Sequence, residues 1–207
     1  MYILYHYPYS QHARRVVSLL EAGGLAYELR HVDMAKREHL SAAYLAINPN
    51  HQVPTLIDGD LTLHESNAIL RYLCQKHGLT DWYPSDLKHR ARVDQWLDWN
   101  QSQLSSAVIG IVRNTLFMGD QGDKVAIARG EARLLELGPI LEEGLSPHDF
   151  LTGNTPTIAD LSVASNFTQL GLAGATPPGA RIAAWYGRMG EIEGFRKSLP
   201  PRSRLLT

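Results

Sequence analysis

The segment that decides the fold is NPNHQVPTLIDGDLTLHESNAILRYL, residues 48–73. Two short apolar runs lie on either side of Asp58-Gly59, and an Asp-Gly pair in that position is typical of a β-hairpin. After the hairpin, apolar residues recur at helical spacing as far as Gly78, which is a common helix-ending residue. The segment therefore predicts strand, strand and helix, with a domain that ends near residue 78.

The residues before this segment alternate between strand and helix patterns. YILYH (residues 2–6) and YELRHV (residues 27–32) are short β-rich runs, and the helical pattern between them ends at Gly23-Gly24. A strand, a helix and a strand of this length indicate a right-handed βαβ unit with parallel strands. With a weak helix in HLSAAYLAIN (residues 39–48), the order becomes β-α-β-α-β-β-α. That is the order of a thioredoxin-like domain.

No strand pattern follows residue 87, so the second half is predicted to be all-helical. The predicted domains are residues 1–78, thioredoxin-like, and residues 87–207, a helical bundle, joined by a linker over residues 79–86. Thr157 followed by Asp160 resembles a capping box at the start of one of the helices. The long first helix is expected to bury one stripe, made of Val93, Leu97, Leu104, Val108, Ile111 and Val112.

Composition excludes several classes of protein. A formal net charge of -1 gives no electrostatic case for a nucleic-acid or anionic membrane partner. No apolar run reaches membrane-spanning length, and the first residues do not resemble a secretory signal. The single cysteine, Cys74, fits a reducing compartment, so we expect a cytoplasmic protein. None of the nine histidines has a helical i, i+4 partner, so no metal site is predicted.

Two features around the hairpin point to a ligand that is a peptide. Pro54 precedes the third strand, and a cis Val53-Pro54 bond there would leave the main chain of Val53 free to pair with an extended peptide. Glu65-Ser66 opens the next helix, whose N-terminus and hydroxyl suit a carboxylate, while the Glu suits an ammonium. Carboxylate and ammonium together describe the α-amino acid end of a peptide. The alternatives are that Pro54 begins an edge strand and that Ser66 is a plain cap.

Four stretches carry a family resemblance that spans nearly the whole chain. PYSQHARRV (residues 8–16), residues 38–73, residues 82–100 and GNTPTIADLSVAS (residues 153–165) together resemble the glutathione S-transferases. The second and third stretches are most similar to the theta class and its delta relatives. Where the alpha, mu and pi classes have a catalytic Tyr at the end of the first strand, this chain has His6.

The resemblance implies that Ser10, at the start of the first helix, donates a hydrogen bond to the glutathione thiolate. The thiol has a pKa of roughly 8.5, and lowering it by about two units takes roughly 2.7 kcal/mol. One hydrogen bond to a charged group contributes about 1.5–3 kcal/mol, and a helix N-terminus adds roughly 0.3–1 kcal/mol. No general base is then required. The alternative is that Ser10 only caps the helix.

The same resemblance implies a set of glutathione contacts. His39, His51 and Gln52 would hold the glycine carboxylate, and Val53 before Pro54 would pair with the cysteinyl residue. Glu65 and Ser66 would hold the γ-glutamyl end, and Gln11 lies beside Ser10. His12, which replaces the Pro usual in this motif, offers the sulfur a second donor or a charge.

The electrophile is expected to bind between the start of the chain and the long helix, near Tyr7, Tyr9, Ile109, Arg113 and Phe117. The alternative is that this helix face belongs to the core. The implied function is conjugation of glutathione, as co-substrate, to small hydrophobic electrophiles by a homodimer. The dimer would use the third helix and VDQWLDWN (residues 93–100). The alternatives are a glutathione-dependent dehalogenase or peroxidase, or a non-catalytic binding protein of the same fold.

Overall fold

The computed structural model describes residues 1–176 and 178–201, so the last six residues of the predicted helical domain lie outside the described part. The strands are β1 (Tyr2–His6), β2 (Tyr27–His31), β3 (Thr55–Asp58) and β4 (Leu61–His64). The α-helices are α1 (Gln11–Ala22), α2 (Ala42–Leu45), α3 (Ser66–His77), α4 (Leu87–Trp99), α5 (Ser105–Val112), α6 (Lys124–Gly144), α7 (Ile158–Leu172), α8 (Ala180–Glu191) and α9 (Glu193–Lys197). Glu38–Leu40 and Gly119–Gln121 are 3₁₀ turns, and Asn100–Leu104 and Arg113–Phe117 are π-helical.

The first half has the predicted thioredoxin-like topology. Its four-stranded sheet has the order β2-β1-β3-β4, with β1 parallel to β2 and β3 antiparallel to β1 and β4. Thr55 pairs with Tyr5 on one side and with His64 on the other. The end of β1, the start of β3 and the end of β4 therefore meet at one edge of the sheet. The segments that follow β1, precede β3 and follow β4 carry the predicted site residues.

The helix predicted to start at residue 87 is less regular than the pattern indicates. All six residues of the predicted stripe are buried. However, π-helical turns at Asn100–Leu104 and Arg113–Phe117 interrupt it, so the structure has α4 and α5 in place of one helix. A π turn inserts about one residue into the helical repeat. Ile109, Arg113 and Phe117, at intervals of four residues, nevertheless form one exposed row along this helical stretch.

The predicted capping box at the start of α7 is present and fully buried. The Asp160 carboxylate accepts hydrogen bonds from the Thr157 N–H at 2.8 Å and the Thr157 hydroxyl at 3.0 Å. Its other oxygen accepts from the Leu151 N–H and the Trp185 indole N–H, both at 2.9 Å. One carboxylate therefore joins α7, α8 and the loop before α7.

Helix α1 connects the two halves because it packs against α3 on one side and against α7 and α9 on the other. Gly194 in α9 allows this close approach. A Cβ added there would lie 2.6 Å from the Ala22 N and 2.7 Å from the Ser18 carbonyl oxygen. Among the helices that the structure describes, none combines the length and apolar character needed to cross a membrane.

Candidate functional site

A cavity of about 800 Å³ opens at the sheet edge where β1 and β4 end and β3 begins. The second wall comes from α5 and the π turn after it. Every residue predicted from the sequence to bind a ligand or an electrophile lines this cavity, so the structure brings the whole predicted set together. They are Tyr7, Tyr9, Ser10, Gln11, His39, His51, Gln52, Val53, Pro54, Glu65, Ser66, Ile109, Arg113 and Phe117.

Ser10 caps α1 and also faces the cavity. Its hydroxyl oxygen accepts a hydrogen bond from the Ala13 N–H at 3.2 Å, which is the bond expected of an N-cap. A hydroxyl that accepts one bond still has its proton to donate. Ser10 is half-buried at the cavity wall, so that proton is available to a bound ligand. The capping role and the predicted donor role are therefore compatible.

His12 and Gln11 follow Ser10 along the first turn of α1 and also line the cavity. Burial, and secondarily the charge of Arg15, lowers the pKa of His12 to about 3. His12 is therefore neutral at physiological pH. Of the two roles considered for it near the glutathione sulfur, a charge is excluded and an uncharged hydrogen-bond donor remains. Gln11 is buried, and its Nε2 has no hydrogen-bond partner within residues 1–176 and 178–201.

The loop before β3 presents the main chain of Val53 to the cavity. The Val53-Pro54 peptide bond is cis, as predicted. Tyr44 and Asn48 hold the preceding carbonyl, that of Gln52, through hydrogen bonds of 2.6 and 2.9 Å. Neither the N–H nor the C=O of Val53 bonds to another described residue. The loop is thus fixed from behind, while one peptide edge stays open for an extended ligand.

Glu65 and Ser66 form the N-terminus of α3, directly after β4 ends at the same edge of the sheet. Glu65 has a φ of 70°, a left-handed conformation that is unfavourable for a residue with a side chain. Such backbone strain is common at functional sites, where surrounding structure maintains it. Ser66 is 4% exposed and is the first residue of α3, so it is not the plain cap considered above. Of the described residues that line the cavity, Glu65 is the only acidic one.

Two histidines lie at the opposite end of the loop region. The rings of His39 and His51 have centroids 6.5 Å apart. Burial, then the neighbouring His51 and Arg37, lowers the pKa of His39. The Nδ1 of His39 is buried and bonds to no described residue. The pair provides ring N–H donors for an anionic group, and no acidic side chain of the described part of the chain lines the cavity beside them.

The far half of the cavity is mostly apolar. Tyr7 and Tyr9 have ring centroids 5.6 Å apart, and Ile109 and Phe117 remain 44% and 49% exposed. These exposures show that this helix face is not core, which was the alternative interpretation. Among residues 1–176 and 178–201, Arg113 is the one Lys or Arg side chain that lines the cavity.

Several lining residues were not predicted from the sequence. Met34 and Met118 extend the apolar half, and His64 and Gln101 lie near the Glu65 end. His64 ends β4 and could have been found, because Thr55 pairs with it at the edge where the site forms. Gln101 belongs to a π turn, and the helical pattern gives no signal for it. Within the described residues, no cluster of His, Cys, Asp or Glu side chains suits a metal ion.

Two family profiles match the chain. The profile described as the glutathione S-transferase N-terminal domain matches residues 4–81, and the one described as the C-terminal domain matches residues 124–188. Mouse glutathione S-transferase theta-1 is 35% identical over 189 residues, which cover 87% of this chain and 78% of the relative. The match to a theta enzyme agrees with the class that the motifs indicated.

Solved structures of theta enzymes share the fold over both halves. The apo form of human glutathione-S-transferase T1-1 superposes with a TM-score of 0.89 at 31% identity, covering 99% of this chain and 94% of that chain. Human glutathione transferase theta-2, solved in complex with glutathione and an unknown ligand, also gives a TM-score of 0.89, at 32% identity. That match covers 96% of this chain and 86% of the other.

Proposed function

This chain belongs to the glutathione S-transferase family, and we propose that its cavity holds glutathione along the sheet edge with the thiol at Ser10. The enzyme conjugates glutathione, its co-substrate. The observation that carries the placement is that the free main chain of Val53, the Glu65-Ser66 pair and Ser10 all line one cavity. These groups match the chemistry of a short peptide with a zwitterionic end and a thiol.

The proposed pose runs from α3 to the two histidines. The γ-glutamyl end lies at Glu65 and Ser66, where the carboxylate of Glu65 receives the ammonium and the start of α3 receives the α-carboxylate. The cysteinyl residue pairs with Val53. The glycine carboxylate lies between His39 and His51, with Gln52 as a further polar contact, and the buried amide of Gln11 lies beside Ser10.

Thiol activation in this pose is electrostatic. The Ser10 hydroxyl donates to the sulfur, and the N-terminus of α1 adds its partial positive charge. Both favour the thiolate over the thiol, and neither takes its proton. The thiolate then attacks an electrophile that is held beside it in the apolar half, between Tyr7, Tyr9, Ile109, Arg113 and Phe117.

We further propose that glutathione binding and electrophile binding belong to different domains, with the boundaries predicted from the sequence. Residues 1–78 would bind glutathione, residues 79–86 would link the halves, and residues 87–207 would carry the electrophile wall. The matches of the two family profiles to residues 4–81 and 124–188 support this division. The small hydrophobic electrophile is supported by the apolar side chains opposite Ser10.

Steady-state rates with aryl halides, epoxides, alkyl halides and hydroperoxides, each with and without glutathione, test this function. We expect glutathione-dependent consumption of at least one halide or epoxide, with one thioether formed per thiol lost. Turnover of hydroperoxide alone, with glutathione disulfide as product, would instead indicate a peroxidase. Halide release that leaves the free-thiol concentration unchanged would indicate a dehalogenase. Binding of glutathione without turnover of any substrate would leave the non-catalytic alternative.

We also propose a twofold homodimer, which membership of the family supports. Within Val93–Asn100, Gln95 and Asp98 are exposed, while Val93 and Leu97 are buried in the chain's own core. Arg71 of α3 forms ion pairs with Asp94 at 2.7 Å and Asp98 at 3.4 Å. Much of the predicted dimer surface therefore also makes contacts within the chain, and the exposed end of α3 would contribute more.

Sedimentation at micromolar concentration measures the assembly directly. We expect a mass of about twice the 23.1 kDa of one chain. A single species near 23.1 kDa would contradict the dimer.

A further inference from the structure

Arg15 in α1 is completely buried, yet it has no acidic partner. Its side chain is 0% exposed, and no Asp or Glu oxygen of the described residues lies within ion-pair distance of it. Buried charges are usually paired, because removing a charge from water is costly. Here the hydrogen-bond partners of the guanidinium are all neutral, and the carboxylate of Glu65, beyond ion-pair distance, is the acidic group whose charge acts on it. The guanidinium therefore has no directly bonded anion, and a ligand carboxylate at Ser66 would place a second negative charge in front of it.

The neutral partners of Arg15 lie directly behind the start of α3. One guanidinium nitrogen donates to the Ser66 hydroxyl oxygen at 3.2 Å and to the Gln101 amide oxygen at 3.2 Å. The other donates to the Ser105 hydroxyl oxygen at 3.2 Å. Ser66 and Gln101 line the cavity, whereas Arg15 does not. A Ser66 hydroxyl that accepts from Arg15 still has its own proton to donate into the cavity.

We propose that Arg15 is a positioning residue that provides the fixed counter-charge for the α-carboxylate of the γ-glutamyl end, acting through the Ser66 hydroxyl. This inference rests on the proposed placement of glutathione at Glu65 and Ser66. Arg15 orients and polarises the hydroxyl, since a charged donor strengthens the next hydrogen bond in a chain. Its positive charge also adds to that of the α3 N-terminus at the same point.

The charge persists at neutral pH. Burial, and then the charge of Arg14, lowers the pKa of Arg15 to about 9, which is still well above 7. The cation therefore lies behind Ser66, while the carboxylate of Glu65 lies beside it at the cavity. The two fixed charges have opposite signs, as a zwitterionic amino acid end requires.

The competing interpretation is that Arg15 only links α1 to α3 and to the π turn after α4. Arg14 separates the two interpretations, because it is a second buried arginine on the same helix, 2% exposed. Its guanidinium donates to the Ser165 carbonyl oxygen and to the Gln169 amide oxygen, both at 3.1 Å, and not to Ser66. Loss of Arg14 removes a buried charge and helix-linking bonds, and it leaves the Ser66 hydroxyl in place.

Three ligands that differ only at the amino acid end provide the test, with dissociation constants measured by calorimetry at one pH and salt concentration. Glutathione has both charges, glutaryl-cysteinylglycine lacks the ammonium, and 4-aminobutanoyl-cysteinylglycine lacks the α-carboxylate. Arg15→Gln should weaken the two ligands that contain the carboxylate by about tenfold or more, the size expected for one charge interaction near 6 Å in a partly buried site. The third ligand should change by less than about twofold.

Three further variants complete the experiment. Arg14→Gln should alter all three ligands by the same factor. Glu65→Ala should weaken the two ligands that have the ammonium and spare glutaryl-cysteinylglycine. Arg15→Lys keeps a cation but loses the fork of bonds, so it should retain part of the preference for the carboxylate. If Arg15→Gln does not fold, the comparison of Arg15→Lys with wild type decides, and unchanged preference there would overturn the proposal.

The outcomes separate this inference from the function on which it rests. Equal weakening of all three ligands by Arg15→Gln would mean a purely structural arginine. If the wild-type enzyme does not distinguish the three ligands at all, the placement of the γ-glutamyl end at Glu65 and Ser66 is wrong. If wild type distinguishes them and the Arg15 variants do so equally well, the placement stands and the role of Arg15 is refuted.

Discussion

Replacing Asp160 by Ala is expected to lower the free energy of unfolding by about 4 kcal/mol, more than any exposed cap in the chain contributes. The buried carboxylate accepts four hydrogen bonds. Its removal leaves the N–H groups of Leu151, Thr157 and Trp185 buried without an acceptor, and each such group costs about 1–3 kcal/mol. Urea unfolding measures the difference. Asp160→Asn keeps the shape and one acceptor, so it should be intermediate.

Asp86→Ala is the matched control for this prediction. Asp86 also caps a helix, α4, by accepting from the His89 N–H at 2.8 Å, but it is exposed. An exposed cap contributes about 1 kcal/mol. If the two alanine variants lose similar stability, the buried connections to Leu151 and Trp185 contribute nothing, and Asp160 is an ordinary cap.

Both caps were predictable from the sequence, but their different weights were not. Asp86 and Asp160 are recognisable because a cap is a local pattern within four residues. Asp160 also accepts a hydrogen bond from the indole N–H of Trp185, and these two residues are 25 positions apart in the sequence. Local patterns therefore predicted the strands, the hairpin and the ends of α1 and α3, while the connections between helices needed the structure.

The part of the site that lies at one edge of the sheet was predictable from the sequence. Ser10, Val53 and Glu65 each follow or precede a strand, and the strand order places those ends together. In the helical wall, Ile109, Arg113 and Phe117 follow the ordinary helical repeat at intervals of four and were predictable, whereas Gln101 lies in a π turn and gave no signal. Arg15 has no sequence signal at all. In the sequence, an arginine on a buried helix face only interrupts the apolar pattern. Its contact with Ser66 is visible only in the structure.

Replacing Ser10 by Ala is expected to raise the pKa of bound glutathione by about one to two units, because the thiolate loses one charged hydrogen bond. With the wild-type midpoint at about pH 6.5, the thiolate fraction at pH 7, and with it kcat/KM for the electrophile at saturating glutathione, should then fall by about 3-fold to 25-fold. The N-terminus of α1 remains, so activity should not vanish. Ultraviolet absorbance of the bound thiolate, followed against pH, reports the midpoint directly. Thr keeps a hydroxyl at the same place, so Ser10→Thr should partly restore the lower pKa.

Ser41→Ala separates loss of the cap from loss of the donor. Ser41 caps α2 by accepting from the Tyr44 N–H at 3.2 Å, the same bond and length that Ser10 makes to Ala13, and it does not line the cavity. Both alanine variants should lose similar stability, about 1 kcal/mol. Only Ser10→Ala should move the thiol midpoint.

The pH profile identifies the group that titrates. His12 has a pKa of about 3 because burial disfavours its charged form, so it stays neutral from pH 5 to pH 9 and adds no inflection there. The single rise of kcat/KM with pH should therefore follow the thiol midpoint and shift upward with it in Ser10→Ala. If that midpoint stays unchanged, Ser10 is only a cap. The sulfur must then be activated by the neutral His12 or by Tyr7, since Tyr5 is not among the residues that line the cavity and the Tyr9 hydroxyl donates its proton to the Pro201 carbonyl.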